Sequence, residues 1–160
     1  MYTISPAEVY PYSGTPAGCQ SALAHQGSYL ISSVTELDQN PSSSAETIID
    51  ALNKGPVLSK VDASNVLFQN YNGGGIISYG AYEELNHSVL IVGYGVSDAG
   101  ENYFIVRNSW GTDWGMQGYA YLSYDKSEVA LTETSGTLGL QVDCQTITVD
   151  KPNQPHFALV

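Results

Sequence analysis

Basic residues are scarce in this chain. Its 160 residues include five Lys and Arg against sixteen Asp and Glu, a formal net charge of −11. Phosphates are neutralised by clustered cations, so no nucleic-acid partner is expected, and an anionic membrane surface is disfavoured for the same reason. Cysteine is nearly absent. Cys19 and Cys144 allow one disulfide but no framework, and their spacing does not fit a zinc site. No metal or cofactor is expected. No apolar run approaches the ~20 residues of a membrane span. The start, "MYTISPAEVY", lacks the basic opening and apolar stretch of a signal peptide.

Apolar residues make up 42% of the chain and charged ones 13%, which fits a globular protein and argues against disorder. A chain of this length fits one domain that buries roughly 68–70% of its unfolded surface. Twelve tyrosines, sixteen glycines and few lysines lean toward an extracellular or lysosomal (vacuolar) setting. The first thirty residues read as turns around "YPYSGTPAG". "NPSSSAETIIDALNKGP" is the clearest helix: Ser43 and Glu46 fit a capping box, Ile48, Ile49 and Leu52 share a face, and Gly55-Pro56 ends it. "PVLSKVDA" alternates as a strand, with Val57, Ser59 and Val61 on one face and Leu58 and Lys60 on the other. "NVLFQNY" reads as a helical turn, and strands follow at Ser88 to Tyr94, Tyr103 to Arg107 and Gly118 to Tyr124. "LGLQVDCQTITV" reads as extended chain before a polar, Pro-containing tail. One helix followed by a run of strands predicts an α+β domain on an antiparallel sheet or barrel.

Within "LNHSVLIVGYG", His87 directly precedes an apolar strand. The polar, glycine-containing "GVSDAGEN" reads as a hairpin connection. A turn centred between Ser97 and Asp98 puts His87 directly opposite Asn108, with Cβ atoms ~4.5–5.5 Å apart. The Asn108 carboxamide oxygen can then accept a hydrogen bond from the imidazole. That fixes the ring's tautomer and orientation, the third-member role in a nucleophile–base–orienter triad. A neutral amide suits an imidazolium that must pair with a thiolate, because a carboxylate would compete for its charge. Trp110 and Trp114 follow at once, and an indole over the pair would exclude water. Each residue also has a plainer reading. A histidine before a buried strand is most often a satisfied edge residue, and the two tryptophans alone are more often core than site. His25, His156 and Glu83-Glu84 read as structural or solvated.

Taken together, "NHSVLIVGYG" and "YFIVRNSWGTDWGMQGYAYL" closely resemble the C-terminal half of the papain and cathepsin family of cysteine peptidases. The family patterns are [DN]-H-[AG]-V…V-G-Y-G and N-S-W-G-x-x-W-G-x-x-G-Y. "VYPYSG", "GPVLSKVDA" and "FQNYNGGGI" resemble further family segments in the same order, over roughly residues 4 to 140. The resemblance implies a catalytic base at His87, its orienting amide at Asn108 and a shielding indole at Trp110, with Trp114 beside it. It places Lys60, Gly74, Gly75 and Ser88 at cleft walls. It implies a right-hand, antiparallel β-barrel lobe over residues 34–150, preceded by a remnant of the helical left lobe and crossing segment over 1–33, with a tail over 151–160. Lys60 departs from the family, which usually has a small apolar residue in the main specificity pocket. The "NHS" sequon at Asn86 is expected to carry no glycan, because the family buries that position. Cys19 and Cys144 are expected to pair, because the family's last strand runs back toward the helical lobe.

The family nucleophile is missing. It lies in C-G-[SA]-C-[WY], with the histidine and asparagine ~130–150 residues downstream, yet only 86 residues precede His87. Cys19 falls at a family disulfide position. Two functions remain open. The chain is the C-terminal part of a peptidase acting on peptide substrates, with its nucleophile on a companion chain. Alternatively, it is an inactive papain-like module serving binding or assembly, including homo-oligomers in which the apolar tip "HFALV" adds to a neighbour's sheet edge.

Overall fold

The computed structural model describes residues 2–24, 29–37, 43–124 and 136–150. The tail, His25 and His156 lie outside them. The chain divides into two compact units. One holds the residues up to Val34 and from Ile147 onward, and the other is Thr35–Thr146. The expected boundaries were 33/34 and 150/151, so the last strand changes unit a few residues before the expected tail.

In the first unit, β1 (Tyr2–Ile4) pairs antiparallel with the start of β2 (Tyr29–Glu36), Tyr2 opposite Ile31. A short helix, α1 (Ser21–Ala24), lies between them in sequence, and the Ser5 hydroxyl donates to the Leu23 carbonyl.

The second unit carries α2 (Ala45–Leu52), β3 (Val57–Val61), α3 (Val66–Gln69), β4 (Ile76–Ile77), β5 (His87–Val96), β6 (Asn102–Arg107), β7 (Tyr119–Ser123) and the start of β8 (Gln145–Asp150). Strand order here is β8-β3-β5-β6-β7-β4. Neighbours run antiparallel except β4 and β7, which are parallel. The sheet is antiparallel as expected, apart from the two-residue parallel pairing of β4 with β7, which makes it mixed. Alternation sets its faces: Val57, Ser59 and Val61 are buried while Lys60 is exposed. Helix α2 packs against β3 and β5, burying Ile48 and Ala51. Each large apolar side chain in this core contributes roughly 1.5–3 kcal/mol.

The cap of α2 differs from expectation. Ser44, not Ser43, is the N-cap, its hydroxyl accepting from Thr47 N–H at 3.1 Å. Ser43 is buried, with its N–H donating to the Gln141 carbonyl and its own carbonyl accepting from the Gln141 amide. Three consecutive serines offer three possible caps, and tertiary contacts to Gln141 take one of them out of the competition.

Candidate active site

His87 is the first residue of β5 and pairs with Val61, the last residue of β3. The hairpin to β6 closes later than the sequence suggested, with Ser97 N–H donating to the Glu101 carbonyl and Val96 opposite Asn102. The register then shifts by one between Ile91 and Gly93. Continued one residue beyond Leu90↔Arg107, it sets Asn108 opposite Val89 rather than His87. The expected direct opposition is therefore replaced by a diagonal one. Residues two apart on a strand share a face, and diagonal partners stay within reach of long side chains. The contact forms all the same: His87 Nε2 lies 2.8 Å from Asn108 Oδ1.

The surroundings of Asn108 fix the proton. Asn108 Oδ1 also accepts the Ser109 N–H at 2.7 Å, so the oxygen faces both donors. A carboxamide oxygen only accepts, so Nε2 carries the hydrogen and Nδ1 is the nitrogen left open for proton exchange. Asn108 is buried, and its N–H donates to the Gly118 carbonyl at 2.9 Å. Its Nδ2 is buried and finds no partner among the described residues. An unpaired buried donor costs roughly 1–3 kcal/mol. A site that orients an imidazole has reason to keep an amide at that cost.

Aromatic rings enclose the histidine. Trp110 lies 5.0 Å from the imidazole, centroid to centroid, tilted by 37°. Phe68 approaches edge-on at 6.2 Å. Trp110 remains 40% exposed, so it packs against the imidazole while still meeting solvent. Trp114 is buried one layer behind: it packs on Phe68 and Trp110 and donates Nε1–H to the Phe68 carbonyl at 3.0 Å. Of the two tryptophans, Trp110 touches the imidazole and Trp114 holds the layer beneath. The loop carrying both turns tightly at Gly115, whose φ is +60°, and a Cβ there would meet the Tyr119 carbonyl oxygen.

The other expected site residues are dispersed. Lys60 pairs with Ser88 across β3 and β5; both are exposed, and Lys60 Nζ lies 2.6 Å from Asp143 Oδ2. Gly74 and Gly75 line a hollow of about 280 Å³ with Leu67, Tyr71 and Tyr79. Neither His87, Asn108 nor Lys60 lines it. The cysteines do not pair as expected: both thiols are free, Cys19 exposed and Cys144 buried. Cys144 Sγ sits 3.3 Å from the Leu140 carbonyl, in position to donate to it. Burial pushes this thiol up to about 11, with the neighbouring Ser59 and Ser43 hydroxyls working weakly against it. A sealed, protonated thiol is no nucleophile at neutral pH. Asn86 is exposed, where a buried position was expected. No group of three or more His, Cys, Asp or Glu side chains among the described residues is placed to hold a metal ion.

Phe68 and Asp62 escaped the sequence reading. Phe68 sat in "NVLFQNY" as one apolar residue of a short turn, and nothing local marks it as the floor of the imidazole. Asp62 is buried, its carboxylate accepting N–H from Ser64 and Glu83. Burial alone would raise its pKa, but hydrogen bonds from Glu83, Ser64 and Glu84 outweigh that and leave it lowered. An acidic residue ending a strand beside Ala-Ser was the available signal.

Comparison with known proteins places this arrangement. The model of the papain family cysteine protease matches residues 1–138. Cysteine proteinase EP-B 1 of Hordeum vulgare is 36% identical over 152 residues, covering 94% of this chain and 39% of that protein. The KDEL-tailed cysteine endopeptidase CEP2 of Arabidopsis thaliana is 32% identical over 140 residues, covering 88% of this chain and 36% of that protein. The structure of the bromelain protease from Ananas comosus superposes with a TM-score of 0.77 at 28% identity, over 92% of this chain and 63% of that one. The chain thus spans about two fifths of the length of these two curated relatives.

Proposed function

The chain belongs to the papain family of cysteine proteases, and from that premise we propose that it is the base-bearing part of a cysteine endopeptidase whose nucleophilic thiol comes from outside these residues. The single observation carrying this is the His87 Nε2–Asn108 Oδ1 bond, on an imidazole packed against Trp110. A thiol delivered to the open Nδ1 passes its proton there, giving a thiolate–imidazolium pair. The thiolate adds to the peptide carbonyl carbon, and Nδ1–H then protonates the departing amine. Water, losing its proton to Nδ1, releases the acyl group and restores the thiol. Asn108 contributes by holding one ring orientation throughout.

Mass spectrometry of native material under non-reducing conditions tests the arrangement. The reading expects a thiol-bearing partner with a C-G-S-C-W segment. In that assembled form, His87→Ala lowers turnover by ~10²–10⁴-fold or more, and Asn108→Ala lowers it less, with folding intact. Normal turnover in His87→Ala overturns the assignment.

A second reading, an inactive binding or assembly module, is favoured by the Lys60–Asp143 pair, which sets charge where the resemblance puts an apolar pocket wall. A lone chain, or a homo-oligomer, indifferent to an epoxide thiol inhibitor would support it. The proposed location is on the secretory route, extracellular or lysosomal (vacuolar); a KDEL-tailed relative, whose tail is an endoplasmic-reticulum retention signal, supports the route but not the destination. No helix among the described residues is long and apolar enough to cross a membrane.

A further inference from the structure

We propose that Asp62 is a positioning residue for His87, acting through a hydrogen-bonded clamp that runs from Asp62 through Ser64 to Asn86. The clamp joins the segment after β3 to the segment that delivers β5. On the first side, Asp62 Oδ1 accepts the Ser64 N–H at 3.0 Å and the Ser64 hydroxyl. On the second, Asp62 Oδ2 accepts the Glu83 N–H at 2.8 Å. Asn86 closes the loop: its N–H donates to the Val61 carbonyl at 3.2 Å, its Oδ1 accepts the Ala63 N–H at 2.9 Å, and its Nδ2 reaches the Ser64 hydroxyl at 3.4 Å. The Asp62 N–H is anchored on the Leu138 carbonyl at 3.0 Å. His87 is the next residue after Asn86. Residues 83–86 are thus tied at both ends to 61–64, and the imidazole leaves the clamp with its backbone position set before Asn108 and Trp110 orient the ring.

Only a carboxylate accepts on both oxygens without a donor of its own. In Asp62→Asn, one end of the carboxamide turns an NH₂ toward either Glu83 N–H or the Ser64 donors, so one arm of the clamp opens. The inference rests on His87 being the oriented base, and the test reads geometry in the 160-residue chain itself, without activity. Solvent exchange of His87 Nε2–H and of the Glu83, Ser64 and Ile91 amides would be followed by NMR in wild type, Asp62→Asn and Ser64→Ala. Expected is an Nε2–H that exchanges about tenfold faster or more in Asp62→Asn, less so in Ser64→Ala, with Ile91 unchanged. Faster exchange at Glu83 and Ser64 with His87 unchanged would reduce the clamp to loop structure and overturn the proposal. Should Asp62→Asn fail to fold, Ser64→Ala on its exposed side chain decides alone, an unchanged His87 overturning the proposal. A wild-type chain with no protected Nε2–H overturns both the clamp and the reading of His87 as an oriented base, whereas a protected Nε2–H indifferent to both variants removes the clamp only.

Discussion

The two ends of β3 carry different kinds of chemistry. At its C-terminal end Val61 pairs with His87, and at its N-terminal end Val57 pairs with Thr146, two residues beyond Cys144. Both neighbours belong to residue types that catalyse. His87 is half-buried, with one nitrogen bound to a buried amide and an exposed indole against its ring. Cys144 is fully buried, its thiol directed at a backbone carbonyl and held protonated by desolvation. One strand thus supports a group that is oriented yet reachable and another that is sealed. Reactivity follows from the surroundings each end builds, and the thiol this chain does contain near β3 is placed for packing.

Five substitutions, two of them read through the pH dependence of stability, sharpen that contrast. Cys144→Asp should lose on the order of 3 kcal/mol or more in urea unfolding, because it buries a carboxyl without partners. His87→Ala should lose under about 1 kcal/mol in the same experiment. Equal losses would erase the distinction between the ends. The alkaline limb comes next. The Cys144 thiol rises from its ordinary 9.0 to about 11 on folding, so between those values the unfolded chain holds fewer protons than the folded one. Stability is full below pH 9 and falls as pH rises toward 11, by roughly 2–3 kcal/mol. Cys144→Ala should flatten this limb, and a limb unchanged by the substitution would contradict the burial argument.

At the His87 end the sign reverses. The lowered pKa of Asp62 means that its stabilising contribution is present above its ordinary value near 3.8 and is lost as pH falls through the folded value. Asp62→Asn should blunt the acid limb of the unfolding curve while leaving the alkaline limb alone. Smallest of all is Lys60→Ala. The Lys60–Asp143 pair is partly exposed, so its removal should cost about 0–1 kcal/mol and less at high salt.

Much of this was legible in the chain. Strict alternation in "PVLSKVDA" predicts the buried and exposed faces of β3, and the "NHS…GYG" and "NSWG" segments bring His87 and Asn108 together. What resisted reading is non-local. The register shift near Val92 is invisible because Val92 and Gly93 fit a regular strand as well as an irregular one. The count across the turn therefore reached the right pair through the wrong opposition. Ser43 matches a capping pattern that Gln141, nearly a hundred residues away, overrides. The run of the family's last strand led to an expected Cys19–Cys144 bridge, whereas Cys19 is exposed and Cys144 is buried with its thiol on the Leu140 carbonyl. Phe68 and Asp62 lie inside two of the segments that carry the resemblance, yet their contacts with the imidazole and with the 83–86 segment are long-range and were not readable from either segment.

The central claim is that His87 is held with Nε2–H on Asn108 and Nδ1 open. Nitrogen-15 NMR of the imidazole, at a pH where the ring is neutral, reads the tautomer directly. The structure predicts an Nε2-protonated ring whose signature shifts toward a tautomer mixture in Asn108→Ala. A ring protonated at Nδ1, or one indifferent to Asn108→Ala, would contradict it.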